Sequence, residues 1–278
     1  MTTKRAFLKA SSMLGLATLA GASNAQIGPP TGKRRNYVLV HGAAHGGWCW
    51  NKMVEPLRGA GHRVLTPTMT GLGERKHLLT NDVDIYTHCQ DMINVIEYEE
   101  LTEVILVCHS YGGLVTTLVA DRIPNRITQL IYLDAQVPRN GDTWSGLNPP
   151  DVVTSRINAA QEYTKSRNLA VPVMQFSPPF DSAKFLGVTD PADAAWVNRL
   201  VTDHPLVTYT QPVKLTNPPG NGIKRAYVDC TGLTLRVFDS VKARVRDEAG
   251  WDYVTLNTGH NLMVSAPRET TEILLRYA

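Results

Sequence analysis

The string Cys108-His109-Ser110-Tyr111-Gly112-Gly113 follows the apolar run EVILVCH (103–109) and precedes LVTTLVADR, a helix-like segment. Strand, sharp turn and helix with a serine at the apex make a nucleophile elbow, which holds the hydroxyl clear of the backbone. Strand and helix backbones run close together at such a turn, so small residues are needed two before and two after the serine. Gly112 meets the second requirement, and Cys108, still small, stands at the first, where glycine is usual. The turn aims the Tyr111 backbone N–H toward the serine and sets the positive end of a helix beneath it, and both favour developing negative charge. A nucleotide-binding turn is the competing reading, but neither G-x-G-x-x-G nor a P-loop string is present.

A serine hydroxyl is a poor nucleophile at neutral pH. It needs a histidine base, and the histidine needs an acid to fix its tautomer and stabilise its cation. His260, in TLNTGHNLM just past the last β-rich run, is placed to hang over the elbow; His204, in a less regular stretch, competes with it. Three aspartates are candidates for the acid. Asp134 ends LIYLDA directly after the serine's helix and is preferred, Asp229 ends RAYVDC and comes next, and Asp239, inside a helical pattern, comes third. The first β-rich run ends in His41-Gly42-Ala43-Ala44-His45-Gly46-Gly47-Trp48, a tight loop able to donate a second backbone N–H from Ala43 beside that of Tyr111. His45 and Trp48 would line the pocket or pack behind it.

These residues need a frame. The runs NYVLVH (36–41), HRVLTP (62–67), EVILVCH (103–109), LIYLDA (130–135), KRAYVDC (224–230) and WDYVTL (251–256) are continuously apolar and not alternating, as expected of strands buried on both faces of a parallel sheet. Helix-length segments lie between them, from Trp50 to Ala60, Asp84 to Glu100, Gly112 to Arg122 and Leu235 to Ala249. The alternation predicts an α/β protein with a mostly parallel, doubly wound sheet. One stretch breaks the pattern: eleven of the 17 prolines fall within 138–219, together with Trp144, Phe176, Phe180, Phe185 and Trp196. So many large apolar residues point to a folded cap over the strand ends whose aromatics line the substrate pocket. The expected organisation is a leader at 1–25, a core at 26–137 and 220–278, and a cap at 138–219.

The leader reading rests on KRAFLKA (4–10), the apolar run Met13 to Ala22 and the small residues Ser23-Asn24-Ala25, a secretory signal cleaved after Ala25 that leads to a periplasm or the exterior. TKRAFLK also approaches a twin-arginine signal, with Lys4 in place of the first arginine. The apolar run is too short to span a bilayer. Lys4, Arg5 and Lys9 account for the whole net charge of +3. A neutral remainder lacks the basic footprint of nucleic-acid binding or of attachment to an anionic membrane. Cys49, Cys89, Cys108 and Cys230 are sparse, and three lie within apolar or strand-like runs, as buried free thiols do. His41, His45 and Cys49 cluster but recur on no facing segment, which argues against zinc.

Taken together, VHGAAHGGWCW (40–50), GHRVLTPTMTGLGERKHLL (61–79), ILVCHSYGG (105–113), LIYLDAQVP (130–138) and NTGHNLMVSAP (257–267) resemble the α/β-hydrolase branch that holds hydroxynitrile lyases, plant methyl esterases and bacterial pyrethroid-hydrolase-like carboxylesterases. The order Ser…Asp…His is that of the superfamily. The resemblance implies an α/β-hydrolase fold, Ser110 as nucleophile, His260 as base, Ala43 and Tyr111 as oxyanion donors, and no cofactor. Lyases of the branch carry a threonine after the first histidine of the H-x-x-x-H loop and a lysine after the catalytic histidine. Gly42 and Asn261 stand there instead, which sets the lyase reading aside. The plant members' acid aligns near Gly232 or Leu233, where this chain has none, whereas relatives that take the acid from the earlier strand support Asp134. The expected function is hydrolysis of a moderately sized apolar carboxylic ester through an acyl-enzyme. An amidase or carbamate hydrolase with the same residues, or a small-ligand-binding protein on this scaffold, is the alternative.

Overall fold

The computed structural model describes residues 33–233 and 235–278, so the leader expected at 1–25 lies outside the described residues. Strands β1 (Asn36–Val40), β2 (Arg63–Leu65), β3 (Val104–His109), β4 (Ile127–Leu133), β7 (Lys224–Cys230) and β8 (Trp251–Leu256) form one sheet in the order β2-β1-β3-β4-β7-β8. Every neighbouring pair is parallel. All six expected strands are therefore present, and the sheet is of the doubly wound type. The chain steps outward from β1 to β2 and returns through β3 on the other side, so the direction of progression reverses between β1 and β3. At such a switch point the loops leaving the two carboxyl ends diverge and open a crevice. The loop after β1 carries Ala43, and the turn after β3 carries Ser110.

Continuous apolar runs become central strands because both faces are covered. Val104 to Cys108 are all buried on β3, as are Leu130 to Leu133 on β4. Helix α1 (Asn51–Gly59) follows β1, and α2 (Ile85–Tyr98) is started by Asp84, whose carboxylate accepts from the backbone N–H of Tyr86 and Thr87 at 2.9 and 2.8 Å. Helix α3 (Gly112–Arg122) is apolar nearly all round because it packs on both the sheet and α2, burying Leu114, Val115, Leu118 and Val119. Each such side chain contributes about 1.5–3 kcal/mol.

Between β4 and β7 the chain leaves the sheet. This insertion contains α4 (Pro150–Ser166), α5 (Ser182–Phe185), α6 (Pro191–Leu200), α7 (Val207–Thr210) and a two-stranded antiparallel ribbon of β5 (Val173–Met174) and β6 (His204–Pro205). Its prolines are punctuation: Pro150 and Pro191 open α4 and α6, where a missing N–H costs no helical bond. The core resumes with β7 and continues past a single 3-10 turn at Arg236–Phe238 through α8 (Asp239–Asp247), β8, α9 (Leu262–Ser265) and α10 (Pro267–Leu275). The helix expected over 235–249 is thus shorter at both ends. Among the described residues no helix is long and apolar enough to cross a membrane. All four cysteines are buried and free.

Candidate active site

Ser110 sits at the tip of β3 with φ of 55°, a left-handed conformation that costs a non-glycine residue about 1–2 kcal/mol. Ala44, in the loop after β1, and Asp134, at the end of β4, are held the same way at 65° and 44°. Three strained residues thus meet at the carboxyl edge of three adjacent strands. The elbow is locked by β4 and its exit: the Ser110 N–H donates to the Leu133 carbonyl and the Gln136 N–H to the Ser110 carbonyl. Close approach also explains the glycines that follow. A Cβ on Gly112 would fall 2.7 Å from the His41 carbonyl oxygen, and one on Gly113 only 1.9 Å from that of Gln136. Burial pushes the Cys108 thiol up, so beside the serine it is an uncharged packing group.

His260 lies past β8 and donates from Nδ1 to the Asp134 Oδ2 at 2.6 Å. Its ring is stacked on Phe238 at 4.9 Å and lies 4.5 Å from that of His109, whose Nε2–H donates to the His260 carbonyl. The other carboxylate oxygen of Asp134 takes Lys242 Nζ of α8 at 2.7 Å, and the same ammonium reaches Asp229 at 2.6 Å. Burial alone would raise the Asp134 carboxyl, but His260 and Lys242 outweigh it and hold the group below its usual range. Asp229 is turned away from His260 to accept from the Tyr253 hydroxyl at 2.7 Å. Asp239, at the start of α8, lines a surface cleft with Arg139, Arg236 and Arg244. Of the three candidate aspartates, Asp134 alone is hydrogen-bonded to His260. No hydrogen bond joins Ser110 to His260 among the described residues, yet both face one cavity.

The loop after β1 is fixed by neutral histidines whose tautomers follow from their partners. A carbonyl only accepts, so His41 donates Nδ1–H to Gly42 and accepts the Met69 N–H on Nε2. His45 likewise donates to the Ala43 carbonyl and accepts the Asn261 amide at 3.0 Å. His204, the competing base in the sequence, is tied below the site: it accepts the Ala44 N–H and donates to Thr208. His88 accepts the Tyr111 hydroxyl and donates to the Thr70 carbonyl. Among the described residues the backbone N–H groups of Ala43 and Tyr111 donate to no protein acceptor, and both residues line the cavity. A Cβ on Gly42 would lie 2.7 Å from His109 Nδ1, so this loop has no room for a threonine there unless His109 moves.

Burial pushes His41 down to about 3 and His45 to about 4, lowers His88, and takes His109 and His204 well below the ordinary value. In the unfolded chain they titrate near the ordinary 6.5. Between that value and the depressed ones the unfolded state binds more protons, so stability is present at neutral pH and lost as pH falls, by roughly 1 kcal/mol per pH unit for each histidine. Urea midpoints followed by tryptophan fluorescence are expected to drop steeply from pH 7 to pH 5. A flat profile over that window would show that these histidines are not held neutral.

The cavity beside Ser110 is small, about 40 Å³. Of the residues expected to line it, His45, Trp144, Phe176 and Phe185 do so. Trp48 instead stacks behind His45 at 5.2 Å and meets Trp196 edge-on, also at 5.2 Å, while Phe180 faces an adjoining cavity of about 230 Å³. Sequence reasoning missed Arg156, Leu186, Tyr209, Val237 and Phe238 on the cavity wall. Arg156 left a signal: it shares a helix face with Val152, Val153 and Ala160, where a charge is out of place.

The alpha/beta hydrolase family model matches residues 37–273. A carbendazim hydrolyzing esterase from a Nocardioides species is 42% identical over 244 residues, covering 86% of this chain and 98% of the relative. Methyl jasmonate esterase 1 of Vitis vinifera is 28% identical, covering 84% of this chain and 93% of its own. Among solved structures, an extracellular alpha/beta-hydrolase from a Paenibacillus species superposes with a TM-score of 0.73 at 20% identity, over 87% of this chain and 98% of that one, a likeness of fold. With the strained serine at the switch point, the six-stranded parallel sheet and a match over most of its length, the chain belongs to the alpha/beta hydrolase family.

Proposed function

We propose that this protein is a serine carboxylesterase with Ser110 as nucleophile, His260 as base and Asp134 as acid. The observation that carries the reading is the 2.6 Å hydrogen bond to buried Asp134 from His260, which lines the cavity where the strained Ser110 is presented. Ser110 Oγ attacks the ester carbonyl while His260 Nε2 takes its proton, and Asp134 holds Nδ1–H and stabilises the imidazolium. The N–H groups of Ala43 and Tyr111 receive the oxyanion. Collapse returns the proton to the departing alkoxide, leaving the acyl group on Ser110. Water, activated by His260, then attacks the acyl carbonyl, and collapse frees the acid and restores the serine.

Hydrolysis of p-nitrophenyl esters from acetyl to octanoyl, by the chain from Gln26 onward, tests the reading. The space beside Ser110 is only about 40 Å³, so acetyl is expected to exceed octanoyl in kcat/KM. No hydrolysis of any member would sink the esterase reading. Cleavage of a carbamate is the second reading, favoured by the name of the 42% identical relative, and it would use the same residues. The proposal also takes residues 1–25 as an export signal; exported protein whose intact mass retains them would overturn that part.

A further inference from the structure

Among the described residues, Lys242 and Arg156 both approach the candidate site, and their charges are met differently. Lys242 has two carboxylates at 2.7 and 2.6 Å. Arg156, on α4, has none within ion-pair distance among the described residues, and its one polar contact is the Met174 sulfur at 4.0 Å. Its guanidinium lies over the Phe185 ring at 4.8 Å and near that of Trp144 at 5.9 Å. Arg156, Phe176 and Phe185 line both the small cavity at Ser110 and the adjoining one of about 230 Å³, so they form the wall between the two.

An arginine stays charged in a protein, and a half-buried charge without a counterion is disfavoured. Stacking on a ring satisfies its face and leaves the in-plane N–H donors available, the fork that matches a carboxylate. We infer that Arg156 is the recognition point for a carboxylate carried by the substrate, so that the preferred esters are half-esters of dicarboxylic acids. The scissile carbonyl would lie at Ser110, and the carboxylate at the far end of the acyl chain would meet the guanidinium in the wall that Arg156 forms with Phe176 and Phe185. This inference takes its choice of reacting atom from the esterase reading, but the anion subsite itself does not depend on catalysis.

The test uses the monomethyl esters of succinic, adipic and terephthalic acids, which differ in span, each beside the analogue whose free carboxylate is a carboxamide. Binding is measured by calorimetry on Ser110→Ala, which cannot turn the esters over, and again with Arg156→Met or Arg156→Lys added. At least one acid is expected to bind about tenfold to a hundredfold more tightly than its amide, the range of a charge-assisted contact. Arg156→Met, which keeps the length and apolar packing, should abolish the ratio, and Arg156→Lys should keep part of it. Because acid and amide are compared within one variant, a general loss of affinity cancels. A ratio near one for all three pairs in Ser110→Ala, or a ratio that survives Arg156→Met, would overturn the inference. Parallel turnover by the unaltered protein separates the two proposals: tight acid-selective binding without hydrolysis would remove the esterase reading and leave the subsite, and hydrolysis without selectivity would do the reverse.

Discussion

Ser110→Ala is expected to lower ester turnover on the order of 10⁶-fold while leaving the thermal unfolding midpoint within a few degrees of the parent. The substitution removes one oxygen from a half-buried position, so little packing is lost. Relief of strain does not follow from it, because alanine at φ of 55° is no better placed than serine. The oxygen proposed to attack is gone, however, and the neighbouring thiol and phenol are unsuited to replace it. Cys108 is buried and pushed up in pKa, and the Tyr111 hydroxyl, raised well above its usual value, is spent on His88. p-Nitrophenyl acetate hydrolysis corrected for the buffer rate checks this, and retention of more than a few per cent of turnover would exclude Ser110 as the nucleophile.

Asp134→Asn and Asp229→Asn are expected to separate sharply although one ammonium bridges the two carboxylates. Asparagine at 134 presents an amide that can donate to His260 Nδ1, which stabilises the wrong tautomer, and it cannot neutralise the imidazolium. A loss on the order of 10⁴-fold in kcat is expected. Asparagine at 229 leaves the His260–Asp134 hydrogen bond in place and leaves Lys242 one carboxylate. Its effect on kcat should stay below about tenfold, with the main change in stability, since the Tyr253 hydroxyl and Lys242 both lose an anionic partner. Equal and minor losses in both variants would remove Asp134 from the mechanism.

The contrast between these aspartates shows where sequence reasoning stops. Both end a β-rich run, and a strand end fixes the edge of the sheet a residue occupies but not the direction of its side chain. That direction is set by the turn that follows: Asp134 is left-handed at 44° and faces His260, whereas Asp229, still within β7, pairs with Tyr253 of β8. The strands themselves were legible because short apolar runs bounded by turn residues fit strands of a parallel sheet, and the elbow because its chemistry is local to six residues. The insertion was not. Trp48 and Trp196 pack edge-on behind the site, and Arg156 and Tyr209 reach the cavity from two different helices of the insertion, α4 and α7, a convergence no local pattern records. Lys242 is a similar case. Flanked by Val241 and Val245 on the inner side of α8, it is a cation on a core face, and its reason is visible only once both aspartates stand opposite. Burial opposes its charge, the two carboxylates outweigh that, and the ammonium is held more basic than usual.

In the proposed reaction Ser110 forms the covalent bond to the acyl group. A stoichiometric organophosphate such as paraoxon reacts with a serine activated by histidine and leaves a stable phosphoryl adduct, because the ester formed is not readily displaced by water. Intact-mass and peptide mass spectrometry of the treated protein should therefore show one diethylphosphoryl group, located on Ser110, appearing in step with the loss of esterase activity and absent from Ser110→Ala and His260→Ala. An adduct on another residue, or full inactivation with Ser110 unmodified, would contradict the account.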